Sequence, residues 1–239
     1  MKALLLVLPL LTLSACSKQE RSAEASPSET INTQTAAEFA APADLPAGAY
    51  KLDRSHASLV FRVDHLGFSK YTARFRTFDA QLQLDPRNLA ASSVVVSVDP
   101  KSLDLDGPPE GFLEALLGPE WLDAAQFPTL AYRSTKVEPI GPNAVRITGD
   151  LTLHGITHPV VLEATLNGGW VGHPFDPNAR VGFSARGTFK RSDFGISTGL
   201  PPPGTKMGVS DEVEVIVETE FTGPAWKSAE ALDTVARSL

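Results

Sequence analysis

Apolar and polar side chains alternate with period two through most of the stretch between Tyr50 and Thr222, the pattern of strands that bury one face. Leu59, Phe61 and Val63 take one parity, and Val60, Arg62 and Asp64 the other. Val145, Ile147, Leu151 and Leu153 alternate with Arg146, Thr148, Asp150 and Thr152. Val181, Phe183, Ala185 and Phe189 share a parity opposite Arg180, Arg186 and Lys190, and Val213, Val215 and Val217 stand against Glu212, Glu214 and Glu218. Further strands are expected at Phe75 to Leu84, Val94 to Val98, Leu130 to Val137 and Val160 to Leu166, about eight in all. Turn segments such as Asp85-Pro86-Arg87-Asn88 and Gly141-Pro142-Asn143 join them, short enough for antiparallel neighbours. Pro108 to Phe127 breaks the pattern: Phe112, Leu113, Leu116 and Leu117 fall on one helical face before Gly118-Pro119 stops it.

The expectation is an all-β domain with one helical insertion. Eight strands with so aliphatic a buried face form either a sandwich or a closed barrel; a barrel removes exposed edges and at this size still holds a small ligand. The inward-parity residues Leu59, Phe61, Val63, Leu151, Leu153, Phe183 and Phe189 are the candidates for lining such a cavity. A packed core and a lined tunnel share one binary pattern, so the pattern alone leaves both open. His65 has the parity of Phe61 and Val63 and sits at a strand end, where it is positioned to meet a ligand headgroup.

The ends read differently. Lys2, an uncharged apolar run from Ala3 to Leu13 too short to span a bilayer, and small residues up to Cys16 form a secretory signal. Residues 17–48, rich in Ser, Ala, Glu, Thr and Pro, cannot bury a core and read as a disordered linker. Beyond Gly223, Trp226, Ala229, Leu232 and Val235 recur at roughly helical spacing and suggest a short C-terminal helix or tail. The chain thus divides into a leader (1–15), a linker beginning at Cys16 (16–48), a β domain (49–223) and a tail (224–239).

Charge and chemistry narrow the function. The net charge is −7, and removing the leader takes away Lys2 and leaves the chain more acidic still, so no nucleic-acid partner is indicated. Cys16 is the only cysteine, which excludes disulfides, thiolate nucleophiles and cysteine metal ligands from the folded part. His154 and His158 stand four apart, but Gly155 and Pro159 make that segment a turn, so helical ligand geometry does not apply and no metal site is expected. His56 is read as structural and His173 as a solvated loop residue. Ser192 lacks a Gly-x-Ser-x-Gly elbow, and no catalytic residue or cofactor is expected. Lys190, Arg191 and Asp193 read as a salt-bridged turn in preference to a phosphate clamp. A structural barrel with a filled core is one rival reading; a homodimer is left open.

Two resemblances add to this. Leu13-Ser14-Ala15-Cys16 resembles the lipobox of bacterial lipoproteins, which implies acylation of Cys16 and a membrane anchor; Ser17, in place of Asp, implies the outer membrane by the enterobacterial rule. Tyr50-Lys51-Leu52-Asp53, Ser55-His56, Phe61 to Ser69, Phe75, Phe127-Pro128, Gly149 to Thr157, Phe189 to Ile196 and the Val209 to Val217 strand, in that order, are similar to the YceI-like family of bacterial polyisoprenoid-binding proteins. That resemblance implies an extended, lipocalin-like, eight-stranded antiparallel barrel holding a long isoprenoid, as in a polyprenyl phosphate or a quinone tail; the leader and the lipid anchor imply the periplasm-facing cell envelope. An enzyme acting on an isoprenoid or ester is the other rival reading. The proline-rich Leu200 to Gly204 loop departs from the family pattern and is expected to reshape one mouth.

Overall fold

A computed structural model of the chain describes residues 45–172 and 175–225. The leader, Cys16, all but the end of the linker, His173 and the expected C-terminal helix lie outside the described residues. Among the described residues eleven strand segments are formed: β1 (Gly48–Leu52), β2 (Ser58–His65), β3 (Ser69–Phe75), β4 (Phe78–Leu84), β5 (Ser93–Val98), β6 (Leu103–Asp104), β7 (Leu130–Pro139), β8 (Ala144–Leu153), β9 (Ile156–Trp170), β10 (Asn178–Lys190) and β11 (Val209–Ala225). Helix α1 (Phe112–Leu117) lies between β6 and β7, where the chain carries its helical interruption.

The strands close into one ring. In order it is β1-β4-β5-β7-β8-β9-β10-β11, shut by the antiparallel pairing of β1 with β11. The remaining three segments continue members of this ring: β2 follows β1 along the same seventeen-residue β11, with Lys51 opposite Thr222 and Leu59 opposite Val217. Likewise β3 runs on into β4, and β5 into β6, so the fold is an eight-stranded antiparallel barrel in which three strands come in two pieces. The breaks are written locally. Asp53 accepts from Ser55 N at 3.0 Å to cap the 3-10 turn Arg54–His56, and Asp99, before Pro100, caps the turn Pro100–Ser102 the same way at Lys101 N. The strand expected from Phe75 to Leu84 is β4 alone; Phe75 closes β3, a strand the alternation did not mark, and the two are interrupted at residues 76–77, where Thr77 N donates to Ser102 Oγ instead of to a ladder partner.

Each end of the barrel has its own core. At one end Tyr50, Leu84, Val137, Val145, Val181 and Phe221 are buried together. Tyr50 is 1% exposed, and its hydroxyl donates to Pro46 O at 2.8 Å. Its ring lies over Gly223, where a Cβ would come within 2.1 Å of Tyr50 Cε1, so no larger residue fits there. At the other end Tyr132, Leu153, Val160, Phe194 and Ile196 form the second cluster, with Phe189 and His158 edge-on to Phe194. A bulge between Ser134 and Lys136 in β7 switches strand parity, which is how Tyr132 and Val137 both face inward.

Candidate ligand cavity

Between those two clusters the interior is unfilled. Leu59, Phe61, Val96, Ile147, Phe183, Ala185, Val215 and Val217 line the interior, yet are only half-buried, as side chains are when they face a void and not a neighbour. The void measures about 660 Å³. All eight sequence candidates line it: Leu59, Phe61, Val63 and His65 from β2, Leu151 and Leu153 from β8, Phe183 and Phe189 from β10. The alternation also marks lining residues on other strands, such as Leu82 on β4, Leu162 on β9 and Val213 on β11. Sequence reasoning missed the cap. Pro109, Phe112, Leu116, Trp121 and Leu122, around and after α1, close part of the wall at the end where β2 finishes and β11 begins. The helical spacing of Phe112 and Leu116 is visible in the sequence, but nothing in it says that the apolar face covers a barrel mouth.

Polar groups in the lining are few: Ser92 Oγ accepts from Asp85 N at 2.9 Å and Thr219 Oγ1 donates to Phe183 O at 3.3 Å, while Tyr71, Ser93 and Asp106 also face the cavity. Tyr132 reaches across Gly149, where a Cβ would stand 2.4 Å from Tyr132 Cζ, and its hydroxyl lies 3.1 Å from Ile147 O and 3.3 Å from Val160 O. Burial pushes this phenol above its ordinary pKa, so it stays neutral. His65 is exposed at the mouth, paired in register with Val209.

Arg191 corrects an expectation. It takes part in no salt bridge among the described residues; it is 4% exposed and lines the cavity. Its Nε donates to Ser210 O at 2.9 Å, Nη1 to Ile196 O at 3.0 Å and Thr198 O at 2.8 Å, and Nη2 to Val209 O at 2.9 Å. The Trp121 ring covers the guanidinium at 5.1 Å. The expected ionic turn is thus a buried cation stapling the segment after β10 to the start of β11. Its pKa is lowered by desolvation, with Asp211 acting in the opposite sense.

The remaining candidates are held structurally. His154 Nδ1 is 3.2 Å from Phe194 O, and its ring stands edge-on to Phe127 at 5.3 Å. Ser192 Oγ donates to Asp211 Oδ2 at 2.8 Å, while Asp211 Oδ1 takes Ser192 N at 2.9 Å. Asp53, His56 and Glu220 bring three possible metal-ligand atoms within 4.8 Å of one another. A fixed cation already serves the two carboxylates: Arg180 Nη1 is 2.9 Å from Asp53 Oδ2 and 3.7 Å from Glu220 Oε2.

A closed eight-stranded antiparallel barrel with a largely apolar interior is of the lipocalin-like fold class. Within that class this chain belongs to the YceI-like domain family, which it matches over residues 50–221. The YceI protein of Salmonella arizonae is 38% identical over 178 residues, 73% of this chain and 86% of that one. Among solved structures, BcnA of Burkholderia cenocepacia superposes with a TM-score of 0.60 at 23% identity, covering 71% of this chain and 98% of its own. A domain of Saccharophagus degradans described as polyisoprenoid binding, and implicated in plant cell wall breakdown, superposes at 0.55 with 14% identity over 73% of this chain and 98% of its own.

Proposed function

We propose that this protein binds a long isoprenoid-type lipid inside the barrel and shields or carries it in the bacterial cell envelope, without acting on it chemically. One observation carries the reading: a void of about 660 Å³ walled almost wholly by apolar side chains. At roughly 30 Å³ per heavy atom, the share of a water molecule in the liquid, that space takes about 22 heavy atoms, a little over four isoprene units. Each methylene removed from water contributes about 0.8 kcal/mol, so the chain itself supplies the affinity. The polyisoprenoid-binding description of the Saccharophagus domain supports the same ligand class. The absence of chemistry rests on Ser192, whose hydroxyl is bonded to Asp211 with no imidazole on it among the described residues. Acylation of Cys16 would hold the barrel at a membrane, outer membrane favoured, where so insoluble a cargo is taken up and given off.

The test is a titration of the delipidated full chain with isoprenoid alcohols of increasing length. Affinity is expected to rise about fourfold per added methylene and to level off near about twenty carbons, the number set by the cavity. No binding, or binding indifferent to length, contradicts the proposal.

A further inference from the structure

We infer that two loops at the mouth of the barrel dock on an anionic bilayer surface; that cargo passes there rests on the reading above, whereas the contact itself does not. His65 ends β2 and Val209 begins β11, paired in register, and both line the cavity. Just beyond them the chain holds two large apolar side chains in solvent, Phe68 at 82% and Met207 at 63% exposure. Leu66 (φ 54) and Gly67 (φ 71) make the turn between β2 and β3 in left-handed backbone, a strained placement for leucine. Phe68 N donates to His65 O at 3.0 Å to close that turn, and Leu66 N donates to Gly208 O at 2.8 Å to tie it to the second loop. A Cβ on Gly67 would stand 3.0 Å from Lys206 Cβ, so the two loops are packed together. The proline-rich loop is braced in turn: Thr205 N and Oγ1 both donate to Pro202 O at 3.0 Å, and Val209 N donates to Gly199 O at 2.8 Å. Two apolar side chains fixed in adjoining loops at a cavity mouth form a patch of the kind that marks an interaction site.

Charge points to the partner. The chain is acidic, net −7, yet Phe194 to Ser210 contains one charged residue, Lys206, and Leu66 to Ala73 one, Lys70. Lys70 Nζ lies 3.4 Å from Glu214 Oε2, while Lys206 takes part in no ion pair among the described residues. Apolar loops that carry cations and no carboxylate suit a surface offering both hydrocarbon and negative headgroups. The helical insertion at the same mouth carries Asp106, Glu110 and Glu114, which such a surface repels, so the contact is assigned to the two loops and not to the whole rim. Two side chains and one cation give a weak, reversible contact, and retention at the membrane would still fall to an acylated Cys16.

The test uses the full chain carrying Cys16→Ser, so that no acyl group holds it, floated with isoprenoid-free vesicles of equal parts phosphatidylethanolamine and phosphatidylglycerol. Adding Phe68→Ser and Met207→Ser together is expected to lower partition onto the vesicles at least about tenfold, since both side chains lose their burial. Lys206→Gln should lower it about fivefold, the share of one cation at an anionic surface. Ile140→Ser removes an exposed apolar side chain at the opposite end, between Val137 and Val145 of the Tyr50 cluster, and should change nothing. All four positions are exposed, so the variants keep the core intact. No flotation of the Cys16→Ser chain, flotation that the loop variants leave unchanged, or an equal loss in Ile140→Ser overturns the inference. If the loop variants instead abolish self-association seen by sedimentation, with no flotation, the patch belongs to a second copy and the inference falls. Docking by a chain that takes up no isoprenoid leaves this surface standing and overturns the cargo reading; uptake without docking overturns the inference alone.

Discussion

Replacing Ala185 by Phe separates a ligand cavity from a packed core by the sign of the effect. Ala185 stands on β10 between Val217 of β11 and Ala164 of β9, half-buried and lining the void. In a filled interior the added ring would overpack and cost about 1–3 kcal/mol. Over a void it has room. Burying a phenyl group contributes about 1.5–3 kcal/mol relative to leaving it in water, so the variant is expected to gain about 1–2 kcal/mol. For a domain of this size each 1 kcal/mol moves Tm by about 2–4 °C, a rise visible by scanning calorimetry of the delipidated full chain. The ring's six extra heavy atoms take about 180 Å³ at the liquid volume share of water, from a cavity of about 660 Å³. Room for about six ligand carbons is lost, and at about 0.8 kcal/mol each the affinity for a twenty-carbon isoprenoid should fall at least about a hundredfold. A lower Tm with unchanged binding would refute the cavity.

Other parts of the account give separate tests. Gly149→Ala places a Cβ 2.4 Å from the Tyr132 ring, which should cost about 1–3 kcal/mol; Tyr132→Leu in the same chain should relieve part of it, as a double-mutant cycle in urea would measure. Arg191→Leu leaves four carbonyls without their donor and is expected to lower stability by at least about 3 kcal/mol in the same assay. Arg180 and His56 hold the Asp53 carboxyl down to about 2 from an ordinary 3.8; the stability it adds is complete above about 3.8 and is lost as pH falls toward 2. The Tm gap between the wild type and Asp53→Asn should therefore be constant at neutral pH and shrink below pH 4; a gap that widens on acidification contradicts the assignment. Cys16→Ser should release the protein from membranes in cell fractionation while leaving isoprenoid affinity unchanged.

Much of the barrel was legible because period-two alternation is a direct imprint of a one-face-buried strand. Val213, Val215 and Val217 read as inward from sequence and line the void in the structure. The alternation located eight strands but not their breaks: Phe75 is out of phase with Phe78, Ala80, Leu82 and Leu84, and that change of parity marks the corner at residues 76–77 although the stretch reads as one apolar run. Those corners depend on side-chain caps from Asp53 and Asp99. β1 was passed over because Ala49-Tyr50-Lys51-Leu52 is too short to establish a period, and its strand state comes from pairing to β4 and β11. The eight lining candidates were legible by parity, whereas Trp121 and Phe112 reach the cavity only through the tertiary path of the helical insertion. Arg191 was misread for an informative reason. Adjacent Lys190 and Asp193 invite an ionic reading, while the partners that the guanidinium takes are backbone carbonyls, which leave no signature in sequence.

The central claim is that the barrel is occupied by an isoprenoid chain. The most direct measurement is mass spectrometry of an organic extract of the full chain, purified from its own host without detergent capable of exchanging the ligand. The account predicts one long-chain isoprenoid per barrel. An extract that contains no isoprenoid, from protein whose void of about 660 Å³ also fails to take up a twenty-carbon probe, would contradict it.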